Sequence, residues 1–557
     1  MNTQIVVTTD DEIQMRDGTI LRGDLYLPHL QERCPVIVMR SVFRKNTLSA
    51  RFGVFDPLYF ARHGFAVYIQ DVRGIGSSEG SFYRFIADRD DAYDTIENLA
   101  ARRWCNGKVG AFGNYYAGFL TYQAAAARPP HLKAICPFNT HVSLNRNNDA
   151  KGVTLFYAHI GWCLAREISR VFAGHYSDEI REKYLDELIY DLKHYQEMVD
   201  KYPGDELPMR QLVDIFPIIK DYFDIALPKY DDLQAIQTEG RLLDLSMIKV
   251  PVLMASGVNE SSRNSMIEHC DWLRRNGSGE ARNSEVIIGN WNDDNPMASP
   301  ESALYIPEMY FSIRDEILKW FEHWLKGTPY TGGHAYRIYD TGIGKFVSMD
   351  EWRANAASNR ILYMKFTGNR AGRLTEYVVN TSDEGYATYT YDPHHPGRCY
   401  GYGQDCTAAE QEEDILTFTG DVLDQDLLVA GTPKIVLYVS TDCTDTDFIT
   451  YLEDCDESGK CTLISDGIVR GRYRNSLAPE HMKPGEHYRF EIKVGEVLHT
   501  FRKGHRIRVQ VRSADYPKFE RNHNTGNRPE RDHEFKIARN SVYCNVKEPS
   551  AVILPCE

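Results

Sequence analysis

No run in this sequence comes near the ~18–20 uninterrupted apolar residues of a membrane-crossing helix, so no membrane span is expected. Basic residues are in deficit. With 64 Lys and Arg against 79 Asp and Glu, the formal charge of −15 argues against nucleic acid or an anionic membrane as a partner. The twelve cysteines are scattered singly, with no C-x-x-C pair and no His/Cys cluster at zinc spacing, so no metal is expected. Cys136 and Cys163 lie in apolar runs and read as small core residues. The opening Met1-Asn2-Thr3-Gln4 lacks a basic region followed by an apolar one, and the expected setting is reduced and cytoplasmic. Gly74-Ile75-Gly76 lacks the third glycine of the dinucleotide fingerprint, and no cofactor is implied. What remains is a globular composition, 42% hydrophobic, on a chain long enough for more than one packed core. A small-molecule substrate is the expected partner, and a homo-oligomer stays open.

The first part of the chain alternates strand and helix signals. Residues 21–27 alternate with a period of two, while 35–39 and 65–70 are short apolar runs of the kind buried in a parallel sheet. Residues 88–103 are amphipathic, with Tyr93, Ile96 and Leu99 on one face, and read as a crossover helix. Strands are expected at 109–112 and 133–138, with a helix over 116–127 between them. That order predicts a doubly wound α/β sheet over 1–144. From 145 to 244 the pattern turns to charged, aromatic-rich helices such as 177–202, read as a helical cap inserted over the sheet. Strand signals resume at 250–256 and 285–289, and an amphipathic helix over 315–326 should close the core, which resumes over 245–330. After Gly327 the texture is all-β, and 331–557 reads as a β-sandwich.

The stretch Gly110-Ala111-Phe112-Gly113-Asn114-Tyr115-Tyr116-Ala117-Gly118 has the form of a strand-to-helix nucleophile elbow. Gly113 and Ala117 flank the centre as the glycines of G-x-S-x-G would, with Gly118 one step beyond. Only small residues there let strand and helix pass closely. The centre, however, is Tyr115 rather than serine.

Further segments carry a resemblance: MRDGTILRGDLYLP near the start, QDVRGIGSSEGSF at 70–82, RRWCNGKVGAFG before the elbow, and the helix ending WFEHWLKG. TDTDFITYLED, SDGIVRGRYR and FRKGHRIRVQVRSADYPKFERNHNTG follow in order. The chain resembles the cocaine-esterase and X-Pro dipeptidyl-peptidase superfamily, the CocE/NonD hydrolases. The resemblance implies an α/β-hydrolase core, a helical cap and a C-terminal jelly roll. It also implies a Ser-His-Asp site for esters or amides, which these residues do not reproduce. The family serine maps to Tyr115. The family acid maps to Glu260 in Gly257-Val258-Asn259-Glu260, and the histidine to Asp293 in Gly289-Asn290-Trp291-Asn292-Asp293. The oxyanion tyrosine maps to Phe43, leaving the amide of Tyr116 as oxyanion donor. His159 and Trp162 fall in a segment that lines the family's pocket.

An ordinary triad needs a base titrating near neutrality, and a carboxylate is normally too weak to deprotonate an aliphatic hydroxyl. If Tyr115, Glu260 and Asp293 converge, the two carboxyls share a proton and the phenol supplies a proton or hydrogen bond. That constellation suits cyclisation, isomerisation or elimination on a small organic metabolite, and this is the reading the residues favour. The alternatives are a ligand-binding pseudoenzyme and an atypical esterase or peptidase. Glu260 and Asp293, with Asp294 and Asn295, could also offer oxygens to Ca²⁺ or Mg²⁺, although acidic loops are more often simply solvated. Ser77, Ser78, Ser261 and Ser262 are poor substitute nucleophiles. Asp442, Asp445 and Asp447 are expected to order loops of the sandwich.

Overall fold

In this computed structural model the runs read as buried strands lie side by side in one ten-stranded sheet. The structure describes residues 4–29, 32–46, 55–82, 88–140, 156–201, 206–221, 223, 244–258, 260, 262–291, 307–330, 332–352, 358–366, 370–378, 385–397, 400–476, 478–516, 518–527 and 532–556. The strands are β1 (Ile5–Gln14), β2 (Ile20–Pro28), β3 (Cys34–Ser41), β4 (Ala66–Asp71), β5 (Cys105–Asn114), β6 (Leu132–Phe138), β7 (Leu253–Gly257), β8 (Glu285–Gly289), β9 (Tyr336–Asp340) and β10 (Lys345–Met349). Their spatial order is β1-β2-β4-β3-β5-β6-β7-β8-β9-β10. Pairing is parallel from β4 through β9 and antiparallel at both edges. Strands β3, β4, β7 and β8 are buried along their whole length. This explains why they read as continuous apolar runs: helices cover both faces.

Helices α1 (Pro57–Arg62), α2 (Asp88–Ala101), α3 (Tyr116–Ala127), α4 (Phe156–Phe172), α5 (Asp178–Lys201), α6 (Arg263–Asn276) and α7 (Pro307–Phe321) follow in chain order. Helix α7 packs on the sheet through Phe321, whose ring would lie 2.6 Å from a Cβ on Gly110, so the glycine admits the helix. One π-turn, Glu322–Lys326, extends it to Gly327, which ends it at φ 77°. Helices α4 and α5 form the cap. Their apolar faces, with Ile160, Leu164 and Leu188, pack on Val42, Val72 and Leu120 at one end of the sheet. This arrangement is an α/β-hydrolase core with a helical cap.

One hairpin beyond the expected boundary at 330 joins the first sheet. The hairpin β9–β10 pairs with β8 and so completes the first sheet, although its sequence reads as the start of the β-rich portion. The later strands, from Ser358–Phe366 to Ala551–Cys556, form a separate thirteen-stranded sheet. Its pairs are antiparallel except Ala371–Thr375 with Leu416–Thr419. Helix α6 is hydrogen-bonded to the β-rich part of the chain. Arg263 donates from Nη2 to Ser465 Oγ at 3.0 Å, and the amide of Glu496 donates to Asn264 Oδ1 at 2.8 Å.

Cys455 and Cys461 depart from the reading of single cysteines. They face each other across a hairpin and form a disulfide. The same two sulfurs lie near Glu453 in a grouping of metal-type side chains, and the bond between them takes up both thiols. Asp445 and Asp447 do order loops. Asp445 accepts from the Arg472 amide and side chain, and Asp447 from both Arg470 and Asn522. Asp442 accepts from the Arg539 amide. Among the described residues, no helix is long and apolar enough to cross a membrane.

Candidate active site

Strand β5 ends at Asn114 and α3 begins at Tyr116, so Tyr115 alone carries the reversal of the chain. Its backbone stands at φ 51°, ψ −118°, which a residue with a Cβ adopts only under strain. Two hydrogen bonds hold it there. The Tyr115 amide donates to the Phe138 carbonyl at 3.0 Å, and its carbonyl accepts from the Phe119 amide at 3.1 Å. A Cβ on Gly113 would stand 2.6 Å from the amide nitrogen of Gly118 and closer still to the Ala117 carbonyl. A Cβ on Gly118 would stand 2.8 Å from the Cβ of Thr140. The two tight positions are therefore Gly113 and Gly118, while Ala117 is simply small and buried.

The neighbouring strands are laced to this elbow. Asn139, just past β6, donates its amide to the Ala255 carbonyl at 2.8 Å and accepts from the Gly257 amide on Oδ1 at 3.3 Å. Glu260 follows β7 in a turn closed by its amide donating to the Gly257 carbonyl at 3.1 Å. The Glu260 carbonyl accepts from the amide of Arg263, the first residue of α6, at 3.1 Å. Glu260 is buried. A Cβ on Gly257 would meet the Trp291 carbonyl and lie 3.2 Å from Glu260 Cγ, so the glycine lets all three crowd together. Trp291 in turn stacks on Phe138 with ring centres 6.1 Å apart. Tyr115 and Glu260 thus follow β5 and β7 at the same end of the sheet, with β6 between them. Asp293 lies outside the described residues, as do Asp294, Asn295 and Ser261. His159 belongs to the first turn of α4, and its side chain is likewise outside them.

Aromatic side chains gather next to the elbow. Tyr116 stacks on Trp162 at 6.0 Å, and Phe82 meets the Tyr116 ring edge-on at 6.0 Å. Phe43 packs against the same cluster, its amide donating to Ser41 Oγ at 3.0 Å. Ser77 and Ser78 have structural duties: Ser77 Oγ donates to Asp10 at 2.5 Å, and Ser78 Oγ to the Asp71 carbonyl at 2.6 Å. Ser262 Oγ shares a hydrogen bond with Ser256 Oγ at 2.8 Å.

Two neighbours of the site escaped sequence reasoning. The Tyr116 hydroxyl donates to Asp88 Oδ2 at 3.3 Å. Burial pushes the Asp88 carboxyl up to about 7; Arg40 pulls against that shift and Asp91 adds to it. Asp88 is one of several acidic residues opening α2, and nothing in their order singles it out. The other is Arg166, one helical turn beyond Trp162, where i and i+4 share a face.

Comparisons with known proteins agree with this architecture. Residues 17–293 match the model of the X-Pro dipeptidyl-peptidase (S15 family), and residues 333–553 that of the X-Pro dipeptidyl-peptidase C-terminal non-catalytic domain. The two models together span most of the chain, which belongs to the X-Pro dipeptidyl-peptidase-like family of α/β-hydrolases. It is 29% identical to the cocaine esterase of Rhodococcus sp. (strain MB1 Bresler), over 99% of this chain and 98% of that one. Among solved structures it is similar to an aminopeptidase from a marine sediment Thaumarchaeota archaeon. That match has a TM-score of 0.80 and 22% identity, and covers 100% of this chain and 96% of the other. An α-amino acid ester hydrolase gives a TM-score of 0.75 at 22% identity, covering 99% and 97%. These two likenesses concern the fold.

Proposed function

We propose that this protein acts on a small ester or amide, as the esterases and peptidases of its family do, through a site centred on tyrosine. The observation that carries the reading is the elbow. Tyr115 stands at φ 51° on a turn whose glycines are required by close packing, which is the scaffold that presents a reacting group in this fold. The near full-length likeness to a cocaine esterase supports an acyl substrate. In this reading the Tyr115 hydroxyl and the Tyr116 amide hydrogen-bond the acyl oxygen. A water attacks the acyl carbon, a carboxylate of the Glu260–Asp293 pair takes its proton, and that proton passes to the departing alkoxide or amine. No acyl-serine forms. Phe43, Tyr116 and Trp162 supply the apolar walls, and His159 of α4 is a further substrate-binding residue in this reading.

A second reading keeps the same residues but removes the water. The phenol and carboxyls then move protons within the substrate, giving cyclisation, isomerisation or elimination. What favours it is the presence of a phenol where an aliphatic nucleophile would be needed for ordinary acyl transfer. The deciding experiment is release of p-nitrophenol from p-nitrophenyl acetate and butyrate by the protein and by Tyr115→Phe. Release that depends on the protein and disappears in the variant supports the tyrosine-centred hydrolase. No release above background by the wild type overturns it and leaves proton-transfer chemistry or binding without turnover.

A further inference from the structure

Arg166 is a part-buried cation, one of whose donors has no partner among the described residues. Its Nη1 donates to the Val42 carbonyl at 3.1 Å, and its guanidinium lies 4.5 Å from the centre of the Phe43 ring. Its Nε is enclosed without a hydrogen-bond partner. Among the described residues no carboxylate reaches it. A guanidinium offers five donors, and one taken from water is normally matched by a carboxylate. Its neighbour on α4 shows the usual arrangement: Arg170 donates to the Gly74 carbonyl at 2.7 Å and lies 3.3 Å from Glu167. Burial lowers the Arg166 guanidinium to about 10, and among the described residues no charged neighbour offsets it. At neutral pH it therefore stays charged.

Its place is at the candidate site. Strands β3 and β5 run parallel with Val38 beside Ala111, so the residues that follow β3, Val42 and Phe43, emerge beside the elbow that follows β5. Arg166 lies over that first loop. One turn earlier on α4, Trp162 stacks on Tyr116, the residue next to Tyr115. A planar cation thus sits beside the aromatic cluster of Phe43, Tyr116 and Trp162 in a protein whose overall charge of −15 would otherwise repel anions.

We propose that Arg166 is the anion-recognition residue of this pocket, and that the substrate is an acyl compound carrying a free carboxylate. The inference builds on the small-acyl reading above by naming the substrate class. The guanidinium fork matches a carboxylate in two parallel hydrogen bonds, and a single cation suits a monoanion better than a phosphate dianion. The Phe43 ring beneath fixes the plane of the fork.

The test is binding rather than turnover, so it stands even if the hydrolytic reading fails. Isothermal titration of 4-phenylbutyrate and its neutral isostere 4-phenylbutyramide into the full-length protein compares two ligands that differ only in charge. The expected result is binding of the carboxylate at least ~10-fold tighter than the amide, as a charge-assisted hydrogen bond would give. Arg166→Met should erase that difference, and Arg166→Lys, which keeps charge but not the fork, should restore part of it. Equal binding of the two ligands by the wild type, or preference for the carboxylate that survives Arg166→Met, overturns the proposal. A role confined to bracing the Val42–Phe43 loop would weaken both ligands in parallel and also overturns it. The wild-type comparison decides the matter even if Arg166→Met fails to fold.

Discussion

The carbonyl oxygen of Ala117 occupies the space in which a Cβ on Gly113 would stand. The contact lies between two backbones, at the point where β5 turns into α3, so no side chain can rotate away to relieve it. The elbow therefore requires glycine at that position whatever chemistry the turn presents.

Gly113→Ala should accordingly destabilise the protein by about 1–3 kcal/mol, the range for an added methyl in a packed site. Urea unfolding reads this directly. An unchanged midpoint would show that the strand and helix can move apart at no cost.

Tyr115 holds a backbone conformation natural only to glycine. Tyr115→Gly should be more stable than Tyr115→Ala by about 1 kcal/mol or more, since both remove the ring and only one relieves the strain. Thermal unfolding of the two variants tests it. If alanine proves the equal of glycine, the turn stores no strain.

Asp88 should make stability depend on pH. Its carboxyl titrates at about 7 in the folded chain against 3.8 as its ordinary value, because burial penalises the charge. Below about pH 4 it is protonated in both states and costs nothing. As pH rises from there towards 7, the unfolded chain ionises first and stability falls. Above 7 the full cost, on the order of 4 kcal/mol, is present. Asp88→Asn removes this slope, so its stability relative to wild type should improve between pH 5 and pH 8. Parallel unfolding curves at both pH values would rule it out.

In the β-domain, Arg470 grips Asp447 through Nε at 2.9 Å and Nη2 at 3.0 Å, with both side chains buried. Arg470→Met leaves a buried carboxylate without its cation and should cost about 3–5 kcal/mol. Calorimetry should show a lowered transition, and an unaltered one would mean that Asn522 alone satisfies Asp447.

The elements of the fold were legible where one force dominates. Helix 116–127 and the runs at 35–39 and 285–289 are apolar enough that burial decides their state, and the structure places them as read. The hairpin 336–349 reads as the start of the β-rich portion yet pairs with β8, because a strand's residues do not say which sheet it will join. That choice depends on the free edge of β8, built from residues some fifty positions earlier. The disulfide escaped for a similar reason: Cys455 and Cys461 are six positions apart, and only the hairpin register brings them face to face.

At the site, the sequence by itself determined the elbow and its central tyrosine, because small residues at fixed spacing are a steric requirement of a local turn. Tertiary structure alone decided the surroundings. Asp88 meets Tyr116, and Arg166 meets Phe43, only after helices from separate parts of the chain pack at the end of the sheet. The charge state of such groups depends on how much water that packing removes and which partners it supplies, and neither quantity is written in local residue order.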